Sequence, residues 1–115
     1  MKGIMMVLIT VLSFPIYAQG IVGDWNGKLS FQGMELSVVF HVTSQDGKYQ
    51  TTMDSPDQGV AGIPVDETTF ENGKLTIKAI ALQMEYTAEL NEEGDTLKGS
   101  FNQNGMSFDL RMTKE

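Results

Sequence analysis

The residues best suited to chemistry are few and sit in two places. His41 is the only histidine among 115 residues, and Asp54, Ser55, Asp57 and Gln58 place four oxygen-bearing side chains within five positions. A serine becomes an acyl-transfer nucleophile only with a base held against it and a third group orienting that base. The sequence contains no Gly-x-Ser-x-Gly, and alternation predicts that His41 faces water, so no triad is expected. The hard oxygens of residues 54–58 suit calcium. They lack the distal glutamate and regular spacing of a twelve-residue calcium loop, and Asp54 can equally bond the amides of a turn begun by Pro56. One histidine and no cysteine cannot make the usual zinc shell. The expectation is no catalytic residue, no metal and no cofactor.

Those four residues open the stretch DSPDQGVAGIP, residues 54–64, which is too long for an ordinary hairpin loop. Pro56 and Pro64 restrict the backbone, while Gly59 and Gly62 permit positive φ. The expected form is a rigid cap, with Val60 and Ile63 tucked over the open end of a barrel. Asp54, Ser55, Asp57 and Gln58 would then be either the rim of a ligand or partner site, or the outer surface of a structural plug.

The elements that must carry this segment follow from alternation. In MELSVVFHVT, Met34, Leu36, Val38, Phe40 and Val42 share one parity, while Glu35, Ser37, Val39, His41 and Thr43 share the other. Strands send successive side chains to opposite faces, so the first set is predicted to face a core. The same reading places Trp25, Leu29 and Phe31 inward, and later Tyr49, Leu75, Ile77, Tyr86, Leu97, Phe108 and Leu110. Gln32-Gly33, Asp46-Gly47, Asn72-Gly73 and Asn104-Gly105 are two-residue turn signals, and each is flanked by residues of matching parity. The spacing predicts eight antiparallel strands, at 21–31, 34–44, 48–54, 65–71, 74–80, 83–90, 96–103 and 106–113. The fold class is all-β: an up-and-down, lipocalin-like barrel or meander, with two stacked sheets as the competing architecture. Its predicted interior includes Trp25, Gly27, Tyr49, Ala79, Tyr86, Ala88, Gly99 and Phe108. The small residues in that list either leave a ligand cavity or accept large neighbours.

Residues 1–18 read as a secretory signal: Lys2 supplies the positive start, an apolar run follows, and Ala18 ends the segment. One domain is expected over residues 19–115 of the exported chain, in the periplasm or outside the cell. Without Lys2, seven basic side chains face fifteen acidic ones, a formal charge of −8. Such a field disfavours nucleic acid and anionic headgroups. No integral membrane span is expected after cleavage.

Two resemblances extend this reading. In GDWNGKL, Gly23 and Trp25 occupy the Gly-x-Trp positions that open lipocalin-like and avidin-like barrels. Over the whole exported chain, GDWNGKL, LSVVFHV, TTMDSPDQGVAGIPV, FENGKL and GSFNQNGMSFDL resemble, in order, the small β domain preceding the catalytic domain of secreted bacterial α/β-hydrolase-type serine hydrolases. That resemblance implies an accessory domain whose nucleophile elbow lies in another part of the protein, so hydrolase activity does not carry over. The functional expectation is a non-enzymatic binding module for a small apolar ligand or a protein partner. The alternatives are a stand-alone accessory domain acting with a secreted hydrolase encoded elsewhere, and a structural or inhibitory envelope protein.

Overall fold

Four Xaa-Gly pairs set the register of the sheet. Gln32-Gly33, Asp46-Gly47, Asn72-Gly73 and Asn104-Gly105 hold positive φ at both positions, 52° to 54° at the first and 77° to 81° at the second. Two consecutive left-handed residues make the tight turn whose twist matches that of its flanking strands. Phe31 accordingly pairs with Met34, Gln45 with Lys48, Glu71 with Lys74 and Gln103 with Met106.

The computed structural model describes residues 20–115; the predicted signal over residues 1–18 lies outside them. Among the described residues the strands are β1 (Gly23–Phe31), β2 (Met34–Gln45), β3 (Lys48–Ser55), β4 (Val60–Pro64), β5 (Glu67–Glu71), β6 (Lys74–Ala79), β7 (Met84–Leu90), β8 (Thr96–Gln103) and β9 (Met106–Lys114). They form one antiparallel sheet in the order β4-β3-β2-β1-β9-β8-β7-β6-β5, curled into a half-barrel.

The expected eight-stranded barrel or meander is thereby corrected to nine strands in one curled antiparallel sheet that does not close into a barrel. The difference lies in residues 54–64, which form a hairpin arm and not a free cap. Pro56–Gln58 make a 3₁₀ turn, Gly59 takes a left-handed conformation with φ 71°, and β4 returns along β3. Ser55 pairs with Val60, Met53 with Ile63 and Thr52 with Pro64, with a register shift between Met53 and Ser55. Pro64 has no N–H to donate and stands at the end of an edge strand, where that loss is tolerated. After Val65 and Asp66 the chain joins β6 as β5, so both edges of the sheet belong to one continuous stretch. Among the described residues no ladder closes the gap. Side chains bridge it instead: the Thr51 and Thr68 hydroxyls are 2.8 Å apart, and the Tyr49 and Phe70 rings meet edge to face at 6.3 Å.

The concave face carries the core. Trp25, Phe40, Leu75, Ile77, Tyr86, Leu97, Leu110 and Met112 are fully buried, so the predicted parity holds through the middle of every long strand. Tyr86 lies against Phe40 at 5.5 Å between centroids and donates its hydroxyl to the Leu110 carbonyl at 2.9 Å. Burial pushes its phenol well above the ordinary tyrosine range. Gly27 and Gly99 are closely packed by their neighbours. A Cβ on Gly27 would fall 2.5 Å from Met112 Sδ, and one on Gly99 would fall 1.9 Å from the Thr87 carbonyl oxygen. Glycine at 99 lets β7 and β8 approach as the sheet curls. Ala88 is buried opposite Gly99 and Ala79 opposite Met84, and Phe108 is half-buried, edge to face with Phe31 at 5.6 Å.

Candidate functional site

Strand alternation gives the half-barrel two ends. Turns 46–47, 72–73 and 91–95 lie at one, together with residues 20–22 and the last residues of β9. Turns 32–33, 56–59, 80–83 and 104–105 lie at the other. The first end is a sealed floor. Trp25 is wholly buried there and donates its indole N–H to the Ile21 carbonyl at 2.9 Å. The Lys114 ammonium sits 5.5 Å from the indole centroid and donates to the Gly20 carbonyl at 2.7 Å. Asn91 holds the neighbouring loop, its Oδ1 accepting from the Asp95 and Thr96 amides at 3.0 and 3.1 Å.

The second end is open. An apolar recess of about 160 Å³ enters the core between Leu29, Leu36, Met53, Ile63, Leu82 and Phe101. Polar groups surround its mouth: Ser55, Gln58 and Asp54 on one side, Gln103 on the other. Gln103 donates its amide to the Leu82 carbonyl at 3.1 Å, which fixes the 3₁₀ turn Ile80–Leu82. Each of the four turns at this end also bears one exposed aliphatic side chain. These are Met34, Val60, Ile80 and Met106, with exposures of 61%, 41%, 73% and 47%. Met34 and Met106 keep their inward parity but, contrary to expectation, do not reach the core, because their hairpins project beyond it. Val60 likewise stays outside, whereas Ile63 tucks in.

The sequence-predicted rim is thus divided. Asp54, Ser55 and Gln58 line the mouth, and the Ser55 hydroxyl donates to Gln58 Oε1 at 2.7 Å. Asp57 turns away and accepts the backbone N–H of Ser37 at 2.6 Å, pinning the hairpin arm to β2.

Asp54 also belongs to a cluster on the outer face. His41 Nδ1 is 2.7 Å from Asp24 Oδ1, and Nε2 is 2.7 Å from Asp54 Oδ2. Asp54 Oδ1 accepts the Gly62 amide at 2.8 Å. Hydrogen bonds to Asp24 and then Asp54 hold the imidazole pKa above its ordinary value, while the Gly62 amide and then His41 hold the Asp54 carboxyl below its own. Each ring nitrogen faces a carboxylate oxygen, so neither is turned toward a nucleophile. The two carboxylates grip opposite sides of one ring and do not converge. Among the described residues no three His, Asp or Glu side chains gather as metal ligands. This clamp joins β1, β2, β3 and the β4 arm.

Asp24 escaped the sequence reading, although a signal was present. The Gln32-Gly33 turn fixes the β1–β2 register and sets Asp24 directly opposite His41. The exposed aliphatics were also overlooked, since parity assigns a face but not a depth. No protein-family model matches the chain, and no curated protein matches it.

Proposed function

We propose that the protein is a non-enzymatic binding module that takes an apolar group of its ligand or partner into the recess at the turn end. The observation that carries this reading is the coincidence of the recess with four exposed aliphatic side chains, one on each surrounding turn. Scattered surface aliphatics need no explanation, but a ring of them around an apolar opening favours association. Size narrows the occupant. An engineered apolar cavity of about 150 Å³ takes up benzene, whereas pockets for entire small molecules start at roughly 300 Å³. The recess of about 160 Å³ therefore suits one aromatic side chain or the end of an alkyl chain, with the rest of the bound molecule lying across the turns. A protein partner presenting such a side chain fits this description better than a wholly enclosed lipid. The accessory-domain alternative, beside a hydrolase encoded elsewhere, rests on the sequence resemblance and would use the same surface.

Titration with neutral indole, followed by NMR of the side-chain methyls, tests the reading. Saturable shifts are expected at Met53, Ile63 and Leu82, and Leu36→Trp, which fills the opening, should abolish them. Shifts that never saturate, or that survive Leu36→Trp undiminished, would count against it.

A further inference from the structure

We propose that the outer face carries a second binding site, for a small oxyanion bearing a phosphate or carboxylate group, centred on Arg111 and Lys28 where β1 and β9 part. It is independent of the apolar recess. The β1–β9 ladder has three pairs: Trp25 with Lys114, Asn26 with Thr113 and Gly27 with Met112. Lys28 and Arg111 stand one residue further along their strands, where pairing has stopped. A groove of about 470 Å³ opens at this point, lined by Asn26, Lys28, Ser37, Arg111 and Thr113 around Gly27. Every one of those five side chains can donate a hydrogen bond, and none is a carboxylate. That is a marked local departure for a chain with fifteen acidic side chains against eight basic ones.

Two further observations point to a missing anion. The Asn26 amide nitrogen is buried and has no hydrogen-bond partner among the described residues. A buried donor left unmade is costly, so a native structure generally supplies it with an acceptor. The order of charges across the sheet is the second. Lys74 lies opposite Glu89, Glu89 opposite Lys98, and Lys98 opposite Arg111, with Lys28 beyond. Signs alternate as far as Lys98 and then fail, leaving a run of three cations. Like charges directly opposite on an antiparallel pair repel.

None of these three cations has a salt-bridge partner among the described residues, although the Arg111 charge, after the Asn91 and Thr96 hydrogen bonds, helps hold the Asp95 carboxyl below its ordinary pKa. The nearby acids do not enter the groove. Glu89 and Asp109 line a neighbouring depression that Lys98 and Arg111 also border, Asp95 is held by Asn91 and Thr96, and Asp57 is engaged by the Ser37 amide. An oxyanion between Lys28 and Arg111 would relieve the repulsion and accept the planar Arg fork, and rotation of the Asn26 side chain toward the groove would give its buried amide an acceptor.

The test is an NMR titration of the purified protein with inorganic phosphate, and separately with acetate, at an ionic strength held constant with sodium chloride. The expected result is saturable shifts of the Asn26 side-chain amide and of the Lys28 and Arg111 backbone amides. Arg111→Gln should weaken the apparent affinity at least tenfold, and Lys28→Gln should weaken it in the same direction, while Lys48→Gln leaves it within twofold. Both groove residues are exposed, and each variant is to be checked for an unchanged melting profile. The tighter of the two anions identifies the ligand's group as tetrahedral or planar. Shifts that chloride alone reproduces, or binding in both groove variants within twofold of the parent, would overturn the site.

Discussion

The two ends of the half-barrel are built from similar residue types and reach opposite outcomes. At the floor, a large apolar side chain is covered on all sides: Trp25 has Ile21 as its hydrogen-bond acceptor and Lys114 over its ring. At the mouth, Leu36 and Leu82 are only half-buried, and the aliphatic residues on the turns point past the core into solvent. The cause is local. Residues 20–22 fold across the floor, so chain covers it; among the described residues no segment crosses the mouth, because residues 54–64 pair along β3 as an edge arm. Closure in this fold depends on where the spare chain goes, and composition has little part in it.

Truncations at the two ends should therefore differ most in stability. Trp25→Ala is expected to cost about 3–5 kcal/mol, the range for removing a buried aromatic, read as a lower denaturation midpoint. Leu36→Ala at the mouth should cost well under that, about 1 kcal/mol, because it is only partly buried and its site already opens to water. Equal losses at the two positions would erase the distinction between sealed floor and open mouth.

The outer clamp sharpens the comparison through pH, since it fastens the mouth-side arm. His41 has a raised folded pKa, so its contribution is complete below the ordinary value of 6.5 and is lost as pH rises through the folded value above it. Asp54 has a depressed folded pKa, so its contribution is present above 3.8 and is lost as pH falls through the lower folded value. The clamp is strongest between these limits. Melting temperature measured from pH 5 to pH 9 should fall on the alkaline side, and His41→Gln should flatten that fall. Amide exchange at Gly62 should quicken at high pH while amides around Trp25 stay protected.

The smallest effect is expected on the turns. Ile80→Ser should change stability by no more than about 0.5 kcal/mol, as for exposed substitutions in general. Binding of an apolar probe at the mouth should nonetheless weaken. A large loss of stability would mean that Ile80 is packed and unavailable as a contact.

Much of this was legible in the sequence because β structure is governed by two local rules. Period-two alternation placed Leu75, Ile77, Tyr86 and Leu110 on the core face, and the Xaa-Gly turns fixed the registers between their strands. What escaped depends on more distant geometry. β4 was hidden by Gly59, Gly62 and Pro64, which read as loop residues yet here form a turn and an edge strand. Thr96 alternates with the inward Leu97 and so falls on the outer face, yet it is buried, because Asn91 and Asp95 fold over it. Of the four residues that the sequence groups at 54–58, Asp54, Ser55 and Gln58 line the recess, while Asp57 bonds the Ser37 amide. The Asp24–His41–Asp54 clamp needed two registers read together, and the recess needed to know where the core stops.

Xenon pressurisation of crystals tests the central contrast most directly, because the gas settles in apolar voids whatever the natural ligand. One xenon site is expected between Met53, Leu82 and Phe101, and none beside Trp25. Xenon beside Trp25 with the mouth empty would contradict it.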